Sequence, residues 1–349
     1  MARPLAAIVS FRLGGSDGVS VEATKWAGAL ATLGFDVRTV AGAGPVDRLI
    51  PGLAMAATEP PAPDAVEDAL ADADLVVVEN LCSLPLNEGA AKVVAGVMRT
   101  RRAVLHHHDL PWQREQFAEY PPPPDDPAWV HVTVNDRSRR ELHDVGIEAT
   151  VVRNAFDVEG PGGDRDGTRR ALGLGPGTRL VLQPTRAIPR KNVAAGIELA
   201  GELGATFWLL GPAEDGFGPE LEQLVARARC PCLLGPGPPG HGVGVVDAYA
   251  ASDVVVLPST WEGFGNPTIE SAVYRRPLAI GPYPVAAELA AFGFRWFAHD
   301  DAAGVAAFLD APDQALLEHN HRVATEHFAL RDLPHRIGRV FESAGWVFS

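Results

Sequence analysis

The sequence predicts an α/β protein of two doubly wound domains, each a parallel sheet with helices on both faces. Three observations predict it. Short apolar runs alternate with segments of helical spacing along the whole chain. The alternation breaks once, at the Gly- and Asp-rich stretch DVEGPGGDRDGT from Asp157 to Thr168, and then restarts. The length, 349 residues, matches two domains at roughly 150 residues each.

The first half opens with a strand at Leu5–Phe11. A helix at Ser20–Leu33 follows and stops at Gly34, and a second strand runs over 35–40. Asp64–Ala71 reads as a helix and Leu75–Val78 as a buried strand. Gly89–Met98 is helical, and Ala103–His107 and Val130–Asn135 are strands. Arg137–Val145 is a helix before the strand Ala149–Arg153. In the second half the strands are Leu180–Gln183, Thr206–Leu210, Cys232–Leu234, Val254–Leu257 and Pro277–Ile280. The helices between them are Asn192–Leu203, Glu220–Arg229, Val243–Ala250 and Pro267–Tyr274, and the tail Pro312–Val347 is mostly helical. Domain bounds follow: 1–157, a linker at 158–168, and 169–332, with a last helix near 333–349. Pro121–Pro124 reads as a stiff extended loop.

Charge narrows the function. A net charge of −14 repels phosphate backbones and anionic headgroups, which argues against nucleic acid and membrane-surface partners. No apolar run approaches the roughly 20 residues of a membrane span, and Met1–Phe11 reads as a strand rather than a leader. The three cysteines, Cys82, Cys230 and Cys232, form no even framework and no Cys-x-x-Cys, which fits free thiols in a cytoplasmic protein.

Four segments carry chemistry. The strongest is Trp261-Glu262-Gly263-Phe264-Gly265-Asn266-Pro267-Thr268-Ile269-Glu270, after the strand 254–257. Asn266 suits an N-cap and Pro267 a first helical position, which puts Glu270 in the first turn. Gly263 and Gly265 let backbone amides reach an anion such as phosphate. The carboxylates of Glu262 and Glu270 suit hydroxyl donors, as on a ribose and a hexose. A helix start favouring acids through its dipole is the plainer account of Glu270 alone.

The second segment, Gln183 to Asn192, leaves a strand and enters a helix with Arg186 and Lys191 bracketing a short loop. Two cations there can clamp a diphosphate, although a solvated basic loop would look the same. The third is Leu13-Gly14-Gly15-Ser16-Asp17-Gly18, a glycine turn able to bring amides to a phosphate or sugar, but not the dinucleotide fingerprint. The fourth is His106-His107-His108-Asp109-Leu110-Pro111-Trp112. Alternation separates His107 from its two neighbours, so consecutive histidines make a poor metal cage, and no metal is expected. One histidine with Asp109, and Trp112 as a stacking face for a sugar, is the useful reading. Asp72-Ala73-Asp74 and Asp164-Arg165-Asp166 read as turn and linker acids. Gly-x-Ser-x-Gly is absent.

In this order the four segments resemble the retaining glycosyltransferases of family 4, which have the GT-B fold of two Rossmann-like domains facing a cleft. The resemblance runs over nearly the whole chain and is most specific at Pro258–Glu270, which looks like that family's Glu-x7-Glu motif. It implies that Arg186 and Lys191 bind the donor diphosphate, Glu270 the ribose and Glu262 the hexose hydroxyls. The amides of Phe264 and Gly265 would lie near the sugar and phosphates. Gly14 and Gly15 match the family's glycine loop at the diphosphate, and one of His106 to His108, taken here as His108, matches its cleft histidine. The segment Leu333–Trp346 matches the helix that crosses back to the first domain. His-His-Asp-Leu-Pro-Trp and the Tyr283-Pro284-Val285 stretch are loosely similar to a subgroup that includes mannosylglucosylglycerate synthases. The implied activity is hexose transfer from a UDP- or GDP-sugar to a small polar acceptor without a further cofactor. A sugar phosphorylase of the same architecture, or a module that binds sugar nucleotide without turnover, are the alternatives.

Overall fold

Valine- and leucine-rich runs buried on both faces form the central strands, the pattern that parallel sheets require. The computed structural model describes residues 3–15, 17–160, 162–237 and 243–348. Met1 and Ala2 before the first strand, Ser16 of the glycine turn, Pro161 of the expected linker and Ser349 lie outside the described residues. The chain divides into two units, Met1–Ala155 with Leu330–Ser349, and Phe156–Ala329.

In the first unit the elements are β1 (Leu5–Ser10), α1 (Gly18–Thr32), β2 (Asp36–Ala41), β3 (Arg48–Leu49), α2 (Pro63–Leu70), β4 (Leu75–Glu79) and α3 (Glu88–Met98). They continue with β5 (Ala103–His107), β6 (Trp129–Thr133), α4 (Asp136–Asp144) and β7 (Ala149–Val151). Among the described residues the strands form one sheet in the order β3-β2-β1-β4-β5-β6-β7, every pair parallel. Alternation along β1 sends Ala6 and Ile8 to a core with Trp26 and Leu30 of α1, and Ala7 and Val9 to a core with Val66, Leu70 and Val94. Gly34 ends the first helix as expected: its φ of +98° lets the Phe35 amide reach the Leu30 carbonyl at 3.0 Å.

The second unit holds α5 (Arg165–Ala171), β8 (Leu180–Gln183), α6 (Val193–Glu202), β9 (Thr206–Leu209), α7 (Gly218–Arg227), β10 (Cys232–Leu234) and α8 (Val245–Ala251). After these come β11 (Val254–Leu257), α9 (Asn266–Val273), β12 (Leu278–Ile280), α10 (Pro284–Ala290), β13 (Phe297–Ala298), α11 (Ala302–Asp310) and α12 (Gln314–Phe328). Its strands run β10-β9-β8-β11-β12-β13, again all parallel. The last helix, α13 (Leu333–Ser343), belongs to the first unit, where Ile337, Val340 and Phe341 pack in the core that α1 lines.

Two expectations need correction. The stretch expected as linker runs into α5, because the Asp164 carboxylate accepts from the Gly167 amide at 2.8 Å and caps a helix there. Residues 165–168 are therefore helical. The short strands β3 and β13 are also additional: two residues of edge strand carry no readable period.

In each sheet the strand order reverses direction once, between β1 and β4 and between β8 and β11. Ligands of doubly wound sheets bind outside the carboxyl ends of the strands at that point. The glycine turn leaves β1, Glu79 ends β4, the Arg186–Lys191 loop leaves β8 and the Glu262 loop leaves β11.

Candidate active site

In the second unit, two of the segments singled out in the sequence leave adjacent parallel strands and touch. The Lys191 ammonium lies 2.5 Å from Glu262 Oε1, and Arg190 Nη1 lies 3.3 Å from Glu262 Oε2. Arg190 also donates to the Trp261 carbonyl at 2.8 Å, and the Thr260 amide donates to the Arg190 carbonyl at 2.9 Å. Lys191 and Glu262 are both buried. Burial would raise the Glu262 pKa, but the charges of Lys191 and Arg190 outweigh it and hold the carboxyl below its ordinary range. For Lys191 burial wins: its pKa is lowered, although Glu262 opposes the shift. Lys191, expected on the diphosphate, and Glu262, expected on a hexose, are thus each other's nearest charged partner here. Arg186 stands apart from this pair. Its Nη1 lies 2.5 Å from Glu214 Oε2, and each side chain is one-third exposed.

The start of α9 differs from the sequence reading. Gly265, in the left-handed region at φ +89°, is the N-cap; Asn266 is the first helical residue and Pro267 follows it. Glu270 is therefore the fifth residue of the helix rather than a member of its first turn, so a dipole preference does not explain it. Instead Tyr249 of α8 donates to Glu270 Oε2 at 2.6 Å and orients the carboxylate. Gly265 faces Tyr283: a Cβ there would lie 2.2 Å from the phenol oxygen. That oxygen bonds Thr268 Oγ1 at 2.8 Å and the Phe264 carbonyl at 3.3 Å, which locks the Gly-Phe-Gly turn. The Phe264 ring is buried near Phe156 and Phe328, so its contribution to a ligand is confined to its backbone.

The first unit has its own polar cluster at the end of β4 and β5. Glu79 Oε2 takes His106 Nδ1 at 2.9 Å and His108 Nε2 at 2.7 Å. His107 points the other way, to Ser83 Oγ at 2.7 Å and His131 Nδ1 at 2.9 Å. The alternation expected of the three histidines holds, but it also places His106 and His108 together. With Glu79 they bring three ligand-type atoms within 4.8 Å of one another, a closer grouping than the sequence implied. His108 is 8% exposed against 1% and 0% for His106 and His107, so it has the most open ring. Burial would lower the His108 pKa, but Glu79's hydrogen bond and charge overcome it and raise the pKa above the usual value. His106 goes down, because its burial outweighs Glu79. Glu79 itself is held at about 2, since the two imidazoles outweigh the cost of burying it.

One expectation in this unit fails. Trp112 packs against the cluster of Leu110, Leu142 and Ile147 and donates from Nε1 to Glu141 at 3.0 Å, so it is part of a satellite core and not a free stacking face. Asp109 pairs with Arg114 at 2.7 Å. At the glycine turn, Gly14 has φ +77° and lies against Pro45, where a Cβ would come within 2.6 Å. Beyond Gly15 the Asp17 carboxylate already caps α1, accepting from the Ser20 amide at 3.2 Å and from Arg12 at 3.1 Å. An anion at this turn would share that helix start with Asp17. Sequence reasoning missed Glu79, Arg190, Glu214 and Tyr249, and marked Tyr283 only through the subgroup resemblance. Glu79 had a signal, an acid closing a buried valine run, and Arg190 lay inside the quoted loop; Glu214 and Tyr249 had none.

Comparison with known proteins adds to this geometry. No family model matches the chain. It is 25% identical over 332 residues to mannosylglucosylglycerate synthase of Thermotoga maritima, covering 78% of this chain and 77% of that protein. It is 29% identical over 206 residues to D-inositol 3-phosphate glycosyltransferase of Mycolicibacterium vanbaalenii, covering 52% of this chain and 44% of that one. Among solved structures, HepE of Anabaena in complex with UDP-glucose superposes with a TM-score of 0.75 at 18% identity, over 97% of this chain and 99% of the other. Sucrose-phosphate synthase of Thermosynechococcus elongatus gives 0.72 at 13% identity, over 98% and 99%. This chain is a glycosyltransferase of the GT-B fold. The glycosyltransferase thus carries its Glu-x7-Glu segment in the loop after β11 and on α9, and its basic loop after the neighbouring strand β8. No helix among its described residues is long and apolar enough to cross a membrane.

Proposed function

We propose that this glycosyltransferase belongs to family 4 and moves a hexose from a UDP- or GDP-sugar to a hydroxyl of a small polar acceptor, with retention at the anomeric carbon. The observation that carries the proposal is Glu262 held between Lys191 and Arg190 at the switch point of the second sheet, with Arg186 on the same loop. The name of the Thermotoga relative and the UDP-glucose in the HepE structure support it.

In this reading Arg186 and Lys191 meet the diphosphate. Glu270, oriented by Tyr249, accepts from ribose hydroxyls, and Glu262 accepts from the hexose. The amides of Phe264 and Gly265 lie toward the sugar and phosphates. In the first unit, Gly14 and Gly15 take the family's diphosphate-loop role and His108 its histidine role. The bond from the anomeric carbon to the diphosphate oxygen breaks, and a bond to the acceptor oxygen forms on the same face. The acceptor proton leaves on the departing phosphate. Side-chain cations stabilise the charge that grows on the diphosphate, which is why we propose no cofactor. Free thiols at Cys82, Cys230 and Cys232 accord with a cytoplasmic location.

Release of nucleoside diphosphate from UDP- and GDP-hexoses, measured with and without acceptors and with and without chelator, tests the proposal. Arg186→Gln should lower kcat/KM by about 100- to 1000-fold, as for loss of one transition-state charge donor, and change the melting temperature little because its ion pair is partly exposed. Wild-type turnover in that variant would remove Arg186 from the diphosphate. Cleavage that depends on inorganic phosphate and not on nucleotide would replace transfer with phosphorolysis.

A further inference from the structure

At the edge of the second sheet opposite the Glu262 loop there is a cavity of 330 Å³ lined by Arg165, Arg169, Arg179, Arg275, Arg276 and Asp253. Arg179 directly precedes β8, Asp253 directly precedes β11, and Arg276 lies just before β12. The cavity thus sits at the amino ends of the strands whose carboxyl ends carry Arg186 and Glu262. Four residues of β8, roughly 13 Å of strand, separate the two.

The arginines divide into two groups. Arg165 and Arg169 are committed to the protein: they donate to the carbonyls of Ala250, Ala251 and Ser252 at the end of α8 and pair with Asp253. They build one wall. Arg179 and Arg275 each engage a single carboxylate, Asp310 and Glu318, through one nitrogen, which leaves their other guanidinium donors open. Arg276 donates to the Ala250 carbonyl at 3.0 Å, yet its Nε is buried with no hydrogen-bond partner among the described residues. Five guanidiniums therefore face three carboxylates, a positive surplus in a chain whose net charge is −14. Burial chiefly, with the Arg165 and Arg169 charges adding to it and Asp253 opposing, pulls the Arg276 pKa down.

The backbone at Arg275 points the same way. Helix α9 ends in paired bonds from the Arg276 amide to the Ser271 carbonyl at 2.7 Å and from the Arg275 amide to the Ala272 carbonyl at 3.2 Å. That termination places Arg275 at φ +53°, a left-handed position that glycine ordinarily fills at no steric cost. An arginine there strains the backbone and contributes only a half-exposed ion pair to Glu318 in return.

We propose that this cavity is a second, non-catalytic binding site for a phosphate-bearing small molecule, with Arg179, Arg275 and Arg276 on the phosphate. Guanidinium forks match phosphate oxygens, and Phe308, Leu309 and Leu317 give the ligand an apolar wall. The site is independent of the glycosyl-transfer assignment, because Arg186, Lys191, Glu262, Phe264, Gly265 and Glu270 all lie outside its lining.

The test uses the whole chain and inorganic phosphate as probe, with binding read by calorimetry and by thermal shift at constant ionic strength. The variants are Arg275→Gly, Arg179→Gln/Arg275→Gln and Arg186→Gln. Arg275→Gly relieves the left-handed strain, so its melting temperature without phosphate should equal or exceed that of the wild type while its phosphate affinity falls about tenfold or more. The double variant should fall further, and Arg186→Gln should bind phosphate at this site as the wild type does. Three outcomes overturn the proposal: no phosphate binding beyond the effect of ionic strength, binding lost only in Arg186→Gln, or unchanged affinity in Arg275→Gly.

Discussion

Replacing Lys191 with Met exposes what holds the two loops together. The substitution keeps an unbranched side chain one atom shorter and removes its charge, leaving Glu262 buried with Arg190 at 3.3 Å as its charged partner. Breaking a buried pair by removing one partner costs about 3–5 kcal/mol. Because Arg190 remains, the expected loss falls to or below the bottom of that range, about 2–3 kcal/mol. For a unit of this size that lowers the melting temperature by roughly 4–12 °C. The pH dependence separates a charge effect from lost packing. In the wild type the Glu262 pKa lies below its ordinary 4.5, so the stability it contributes is present above that value and is lost as pH falls through the lowered pKa. In Lys191→Met burial dominates and the folded pKa rises above 4.5. The variant then gains stability relative to wild type as pH falls into the acidic range. Urea denaturation of the single variants and of Lys191→Met/Glu262→Gln, from pH 4 to 8, completes the cycle. The double variant should recover at least about half of the loss. A cost below about 0.5 kcal/mol, or the same pH slope as wild type, would refute the coupling of Lys191 to Glu262.

Gly265→Ala puts a methyl 2.2 Å from the Tyr283 oxygen at φ +89°. Strain and overpacking together should cost roughly 2–4 kcal/mol in urea denaturation, and Tyr283→Phe should recover part of it because the nearest atom then lies at 2.9 Å; a loss under about 1 kcal/mol would contradict the clamp. Glu79, at about 2 in the folded state against 4.5 ordinarily, contributes stability above about pH 4.5 that disappears as pH falls toward 2. His108, raised by Glu79, contributes below 6.5 and loses that contribution as pH rises through its elevated pKa. Glu79→Gln removes both dependences and lets burial pull His108 down. If His108 takes the role proposed for it, one limb of the kcat/KM profile should therefore move to lower pH, and superimposable profiles would separate Glu79 from that role.

Much of this site was legible because it is local. The Glu-x7-Glu segment, the basic loop and the glycine turn are contiguous stretches, and each sits where a strand gives way to a helix, a transition that apolar periodicity marks. Gly34 was readable for the same reason, since a left-handed helix stop leaves its mark on the residue type. The errors fall where local signals compete. Asn266 is a good cap by type, yet Gly265 takes the position because Tyr283, 18 residues later, leaves no room there for a side chain. Trp112 exposes an aromatic in sequence and packs in a satellite core in the fold.

The sequence alone determined the fold class, the two alternating halves and the segments that bear charge, because side-chain period and turn chemistry are properties of neighbours along the chain. Tertiary structure alone decided which charges meet. Glu79 joins His106 and His108 across 27 and 29 positions, Glu214 reaches Arg186 across 28, and Lys191 reaches Glu262 across 71. Such pairings follow from strand order in the sheet, and strand order is settled by the packing of whole layers rather than by any segment's own preference.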